Sequence, residues 1–111
     1  MSPITTHVLD TALGRPAAGV PLTLSRFSHG GWTAVGRGAT DGDGRCKDLL
    51  KAGKLGKGIY RLTFGVAAYF KKTKQTGFYP SVSIDFSAGG AKHYHVPLLL
   101  SPWGYSTYRG S

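Results

Sequence analysis

Hydrophobic and polar residues alternate with a period of two along most of the chain, the spacing of strands that bury one face. Ile4 to Leu9 is the first such run, and after Gly14-Arg15-Pro16 a second, Val20 to Phe27, sets Val20, Leu22 and Leu24 on one side. Trp32 to Gly38 is a third, entered through His29-Gly30-Gly31 and left through Asp41-Gly42-Asp43-Gly44, where glycines and short acidic residues favour a turn. Ile59 to Val66 alternates most cleanly, with Tyr60, Leu62 and Phe64 on one face and Ile59, Arg61 and Thr63 on the other. Val82, Ile84 and Phe86 mark another strand, Tyr94 to Leu100 the next, and Tyr105 to Tyr108 a short last one. Ala67 to Lys74 lacks Gly and Pro and gathers cations toward its end, which predicts the chain's one helix, ended near Gly77. Seven or eight short strands with turns between them and one short helix predict an all-β, antiparallel sandwich.

Two segments leave alternatives open. Val96-Pro97-Leu98-Leu99-Leu100 is apolar on both faces, which a one-sided strand does not need. Either a second subunit or an overlying loop covers its outer side. Ser25 to Arg37 is glycine-rich, so strand boundaries there are undefined by pattern.

A length of 111 residues suits a single domain over 1–111, and no repeat, low-complexity tract or linker divides it. With 41% hydrophobic and 17% charged residues the chain falls on the globular side of the boundary with disordered sequences. The lone Cys46 excludes an internal disulfide framework and a thiolate zinc site, and fits a reducing compartment. Met1 to His7 lacks the charged and apolar regions of a secretion signal, and no apolar run reaches membrane-spanning length, so a soluble intracellular protein without a membrane partner is expected. Tyr108-Arg109-Gly110-Ser111 is not a Ser-Lys-Leu type of address. The expected compartment is the cytoplasm, with the peroxisome open to a eukaryotic source through other import routes.

The net charge of +9 changes the range of partners: nucleic acid, a membrane surface or an anionic small molecule. Lys71-Lys72-Thr73-Lys74, with Lys47, Lys51, Lys54 and Lys57, reads as a phosphate-tracking patch beside Tyr69, Phe70 and Tyr79, or as a solvated face. The solvated face is the expectation, because those aromatics fall where a sandwich needs core residues.

Most signatures of known chemistries are absent: no Gly-x-Ser-x-Gly elbow, no Walker-type phosphate loop, no His-Glu-x-x-His. Asp41-Gly42-Asp43-Gly44 looks superficially like a calcium loop, but Arg45 stands where a third oxygen ligand belongs and Lys47 adds a cation, so a turn is expected. Of the four histidines, His93 and His95 are two apart and share a strand face, and His7 lies on a separate strand able to approach them. Three histidines are a conceivable metal set, yet such spacing is common by chance and no Asp or Glu lies in that strand, so no metal is expected. A metal-free site uses the same groups otherwise: an imidazole titrates near neutrality and takes a proton from water, and a guanidinium holds carbonyl or anionic oxygens in a planar fork. Arg45 and Arg109 are candidates for that fork, though a lone arginine is more often simply solvated. Ser111 offers a hydroxyl and, as the last residue, the chain's carboxylate, although most chain ends are frayed and inert.

Four separated segments resemble the transthyretin-like 5-hydroxyisourate hydrolases. They are Thr6-His7-Val8-Leu9-Asp10 with Gly14-Arg15-Pro16-Ala17; Asp43-Gly44-Arg45-Cys46; Phe78-Tyr79-Pro80 leading into Val82-Ser83-Ile84-Asp85-Phe86; and His95-Val96-Pro97-Leu98-Leu99-Leu100-Ser101-Pro102 running on to Tyr105-Ser106-Thr107-Tyr108-Arg109-Gly110-Ser111. The closing Tyr108-Arg109-Gly110-Ser111 is the most specific, since it resembles the tail that distinguishes the hydrolases from the hormone-carrying transthyretins. The resemblance implies an eight-stranded sandwich with one short helix, assembled as a homotetramer whose active sites lie where two dimers meet. It implies hydrolysis of the N1–C6 amide bond of 5-hydroxyisourate to 2-oxo-4-hydroxy-4-carboxy-5-ureidoimidazoline, on the way from urate to allantoin, without metal or organic cofactor. Carried over, the catalytic groups are His7, Arg45, His95 and Ser111, and the substrate-binding ones Tyr108, Arg109 and Gly110. One histidine would activate water against C6 and the other relay a proton to the departing nitrogen, while Arg45 stabilises the charge on the C6 oxygen; which histidine does which is open. Removal of Tyr108 to Ser111 is expected to lower turnover more than stability. The chain departs from the family at Lys47-Asp48, where Pro-Gly is usual, and at Phe70, where Trp is common. A non-catalytic transthyretin-like carrier and, behind it, a basic nucleic-acid-binding module are the alternatives; no nucleic acid is expected.

Overall fold

The inward positions of the cleanest alternating run, Tyr60, Leu62 and Phe64, are 0–2% exposed, while Ile59 opposite them is 42% exposed. A computed structural model describes residues 2–51, 53 and 55–111, so Lys54 of the basic patch lies outside the described residues, as does Met1. The strands are β1 (Ile4–Asp10), β2 (Arg15–Pro16), β3 (Pro21–Ser28), β4 (Gly31–Ala39), β5 (Arg45–Cys46), β6 (Gly58–Phe64), β7 (Val82–Ala88), β8 (Tyr94–His95), β9 (Leu98–Ser101) and β10 (Gly104–Thr107), with one helix, α1 (Ala67–Lys72).

Two sheets face each other. One runs β4-β3-β6-β7, antiparallel throughout. The other runs β10-β9-β1-β2, with β5 and β8 also on β1. Between them Ile4, Val8, Leu24, Leu62, Phe64, Val82 and Leu98 are fully enclosed. The expected sandwich is present, and its two parallel pairings among the described residues, β1 with β8 and β1 with β9, were not legible in the pattern. Periodicity reports which residues share a face and carries no information on strand direction.

The run expected as one strand from Tyr94 to Leu100 is two. Pro97 has no N–H to give to a ladder, and side chains take over there: Thr6 Oγ1 donates to the Val96 carbonyl at 2.5 Å and Thr107 Oγ1 to that of Pro97 at 2.7 Å. Pro97 is buried and Leu99 half-buried, so the outer side of this run is partly covered within the protomer. In β4 few side chains point into the core, because the segment after β5 crosses directly over it. A β-carbon at Gly36 would overlap the Leu49 carbonyl, and one at Gly38 would reach Cys46 Sγ at 2.9 Å.

The helix is shorter than expected. Thr73 Oγ1 donates to the Tyr69 carbonyl at 2.9 Å and Lys74 adopts φ +58°, which ends α1 at Lys72. Tyr69 and Phe70 are buried while Lys71, Lys72 and Lys74 are exposed, as a solvated basic face over core aromatics requires. Tyr69 OH donates to Asp10 Oδ2 at 2.7 Å, Gln75 Nε2 does so at 3.0 Å, and the amides of Ala12 and Leu13 donate to Oδ1. Burial alone would raise Asp10, but these four donors hold it below the ordinary carboxylate value; burial and Asp10 together push Tyr69 up to about 12. No described helix is long and apolar enough to cross a membrane.

Candidate active site

Strand β1 buries Ile4, Thr6, Val8 and Asp10 and turns Thr5, His7 and Leu9 to the outer face of its sheet, by simple alternation. Strand β5 lies antiparallel beside it with Arg45 in register with His7. The turn Asp41–Gly44 fixes this short strand: Asp41 Oδ1 accepts from the amides of Asp43 at 2.9 Å and Arg45 at 3.0 Å, and the Gly44 amide donates to the Asp41 carbonyl. Gly44 sits at φ +76°, where a β-carbon would overlap the Val8 carbonyl oxygen. Only glycine fits that conformation and that approach. The acidic residues thus act as a turn, and the turn delivers Arg45.

On the other side of β1, His95 pairs with Thr5 in the parallel ladder. Thr5 Oγ1 stands 2.8 Å from His95 Nδ1 and 3.0 Å from His93 Nε2, so both histidines do share a face. His7 Nε2 lies 2.8 Å from the Asp43 carbonyl. A carbonyl only accepts, so His7 carries a proton on Nε2.

The chain end completes the site. Gly110 forms an antiparallel bridge with His95, its amide donating to the His95 carbonyl at 2.8 Å. Ser111 then joins Thr5, Thr6, Arg45, Lys47, His93 and His95 around a cavity of about 270 Å³. Three of the four expected catalytic residues line it directly, and His7 stands beside them through its register with Arg45. Burial, the Arg45 guanidinium, and the His7 and His93 imidazoles all hold His95 below the ordinary imidazole value of 6.5. A neutral imidazole, fixed positive charge and hydroxyls around one small cavity suit attack of water on a carbonyl.

Tyr108 and Arg109 face elsewhere within the protomer. They line a separate cavity of about 220 Å³ with Ile84, Phe86 and Tyr94, where the Arg109 guanidinium lies 5.2 Å from the Tyr94 ring centre. Gly110 packs on His95 instead of opening onto the cavity. Thr5 and Lys47 are site residues that sequence reasoning did not single out for catalysis. Thr5 was accessible through alternation, two positions before His7; the inward reach of Lys47 depends on how the chain leaves β5. Among the described residues, no three His, Cys, Asp or Glu side chains are arranged to hold a metal ion.

The HIUase/Transthyretin family matches residues 4–110. Over 113 residues the chain is 47% identical to 5-hydroxyisourate hydrolase of Mus musculus, covering 99% of this chain and 96% of that protein. Its structure is similar to that of Klebsiella pneumoniae 5-hydroxyisourate hydrolase, with a TM-score of 0.85 and 36% identity over 99% of this chain and 100% of the other. It is also similar to transthyretin from Sparus aurata, with a TM-score of 0.92 and 33% identity over 99% and 97%.

Proposed function

The chain belongs to the HIUase/Transthyretin family, and from that premise we propose that it is a 5-hydroxyisourate hydrolase, opening the N1–C6 amide bond of a purine-derived ring in urate degradation. The carrying observation is that Arg45, His95 and Ser111 line one cavity, with His7 in register beside Arg45.

His95 is the base in this reading. Its Nδ1 is engaged by Thr5, and its depressed pKa keeps the imidazole neutral at physiological pH. Nε2 takes a proton from water as the oxygen attacks C6. The negative charge that develops on the C6 oxygen is met by the Arg45 guanidinium, with Lys47 adding positive potential from the same wall. When the C6–N1 bond breaks, N1 leaves with a proton and C6 becomes a carboxylate. The proton that N1 takes is the one His95 removed from water; His7, whose Nε2–H is tied to the Asp43 carbonyl, has Nδ1 free to accept it and pass it to the leaving nitrogen. Ser111 orients substrate or imidazole from the rim. Tyr108 and Arg109 support binding through the tail they anchor, with Gly110 seating His95. No metal or organic cofactor takes part in this scheme, and the net charge of +9 favours an anionic substrate.

The same reading carries a homotetramer with sites at the dimer–dimer contact. Support comes from β7 and β10, which end their sheets with unpaired edges, and from the half-buried Leu99 on the outer face that also bears His7 and His95. Light scattering on the purified protein is expected to give four times the 11.8 kDa chain mass.

A transthyretin-like carrier has the same fold, as the Sparus aurata similarity makes plain. The cations Arg45 and Lys47 and the imidazoles of His93 and His95 around the cavity favour hydrolysis over carriage of an apolar ligand. Purified protein added to freshly generated 5-hydroxyisourate, with chelator present, is expected to accelerate loss of substrate absorbance, with His7→Ala and His95→Ala both slow. Decay at the background rate in wild type and both variants would overturn the enzyme reading.

A further inference from the structure

We propose that Thr5 and His93 are positioning residues that set the tautomer of His95 by a hydrogen-bonded chain through the Thr5 hydroxyl. This rests on His95 being the base of the hydrolysis proposed above. Thr5 Oγ1 bridges His95 Nδ1 at 2.8 Å and His93 Nε2 at 3.0 Å.

A threonine hydroxyl has one proton, so between two neutral imidazoles it donates to one and accepts from the other. If it donates to His95, Nδ1 is bare and the His95 proton sits on Nε2, which then cannot take one from water. If it donates to His93, His95 Nδ1–H donates back to Thr5 and Nε2 presents a lone pair. Only the second arrangement makes His95 a base, and it requires His93 to carry its own proton on Nδ1. The tautomers of the two histidines are thereby locked together.

Local structure enforces the geometry. Thr5 and His95 are register partners in the parallel β1–β8 ladder, and His93, two residues earlier, returns to the same hydroxyl. Thr5 is only 8% exposed, which limits water as a competing partner. Arg45 and Lys47 line the cavity beside His95, and their positive field favours a lone pair over an N–H on a nitrogen that faces them. Gly110 backs the ring near Cδ2, leaving it little freedom to turn over.

The test is two-bond ¹H–¹⁵N correlation spectroscopy of the uniformly labelled full chain at pH 7.5, beside steady-state kinetics. In wild type, His95 is expected with Nδ1 protonated and Nε2 bare. Thr5→Val, nearly isosteric, is expected to move the proton to Nε2 and to lower kcat by about tenfold or more, with KM changed less than about threefold; His93→Phe should do the same, and Thr5→Ser should restore both. A wild-type spectrum with Nε2 protonated overturns the proposal even if no variant folds. So does a rate loss in Thr5→Val without a change of tautomer, or a change of tautomer without a rate loss. Because the spectra do not depend on turnover, an inactive wild-type protein refutes the hydrolase reading separately, whatever tautomer His95 shows.

Discussion

Gly110 lies against the imidazole of His95: its amide donates to the His95 carbonyl at 2.8 Å, and a β-carbon there would stand 2.5 Å from His95 Cδ2. The glycine of the tail therefore belongs to the placement of the histidine, although fifteen positions separate them in sequence. Gly110→Ala is expected to push the ring aside and lower kcat/KM by about a hundredfold, the scale of a displacement near 1 Å at a reacting group. The thermal midpoint should shift by about 3 °C or less, since the substitution touches the chain end. Removal of Tyr108 to Ser111 should follow the same pattern; equal loss of activity and stability would count against it.

Arg45 is one of the groups that depress His95, second only to burial. In wild type the acid limb of kcat/KM should fall below pH 6.5, because the base form of His95 persists to lower pH than in a free imidazole. Removing the guanidinium removes a positive neighbour, protonation becomes easier, and the limb moves to higher pH. Arg45→Gln should show this shift together with a loss of kcat of about a hundredfold from weaker oxyanion stabilisation. A pH–rate profile that moves the other way, or not at all, contradicts the assignment of His95 as base.

Tyr69 and Asp10 predict an effect on stability without an effect on chemistry. Tyr69→Phe removes one donor from a carboxylate that is 1% exposed, at a cost of about 1–3 kcal/mol. Asp10 lies below its ordinary 3.8 in the folded protein, so its contribution is present above that value and is lost as pH falls through the folded one. With a donor gone the folded value rises, and acid unfolding should begin at a higher pH. Turnover at neutral pH should change less than about twofold, because Asp10 is three residues from His7, roughly 10 Å along the strand. Urea titrations at two pH values, with the standard assay, check both halves.

Gly44 should be intolerant where its neighbour Gly42 is not. Gly44→Ala forces a side chain onto φ +76° and against the Val8 carbonyl, and is expected to cost about 2 kcal/mol or more and to impair turnover by displacing Arg45. Gly42 has nothing within 4 Å of its would-be β-carbon, so Gly42→Ala should stay within about 1 kcal/mol. Chemical denaturation of the pair gives the comparison.

Much of this site was legible before any coordinates. The run from Ile4 to Leu9 put His7 on a strand able to approach the other histidines, Arg45 stood out as a candidate guanidinium just after the Asp41–Gly44 turn, and the two-residue spacing put His93 and His95 on one side. What the pattern missed was relational. The bridging hydroxyl of Thr5, the reach of Lys47 into the cavity and the facing-away of Tyr108 and Arg109 follow from which strands adjoin and from where the tail crosses. The early end of α1 was missed because a threonine hydroxyl can satisfy a helix carbonyl without any proline or glycine to announce it.

By itself, then, the sequence determined the longer strands and their inward faces, because burying one side of a strand leaves a period-two record in the residues themselves. It also determined the chemical types at hand, two imidazoles and a guanidinium carried on a familiar set of segments. Tertiary structure decided the rest: that β1 runs parallel to β8, which sets Thr5 against His95, and that the last residues return to pack on that histidine. Contacts between separate strands depend on register and direction, and neither leaves a periodic trace along one strand.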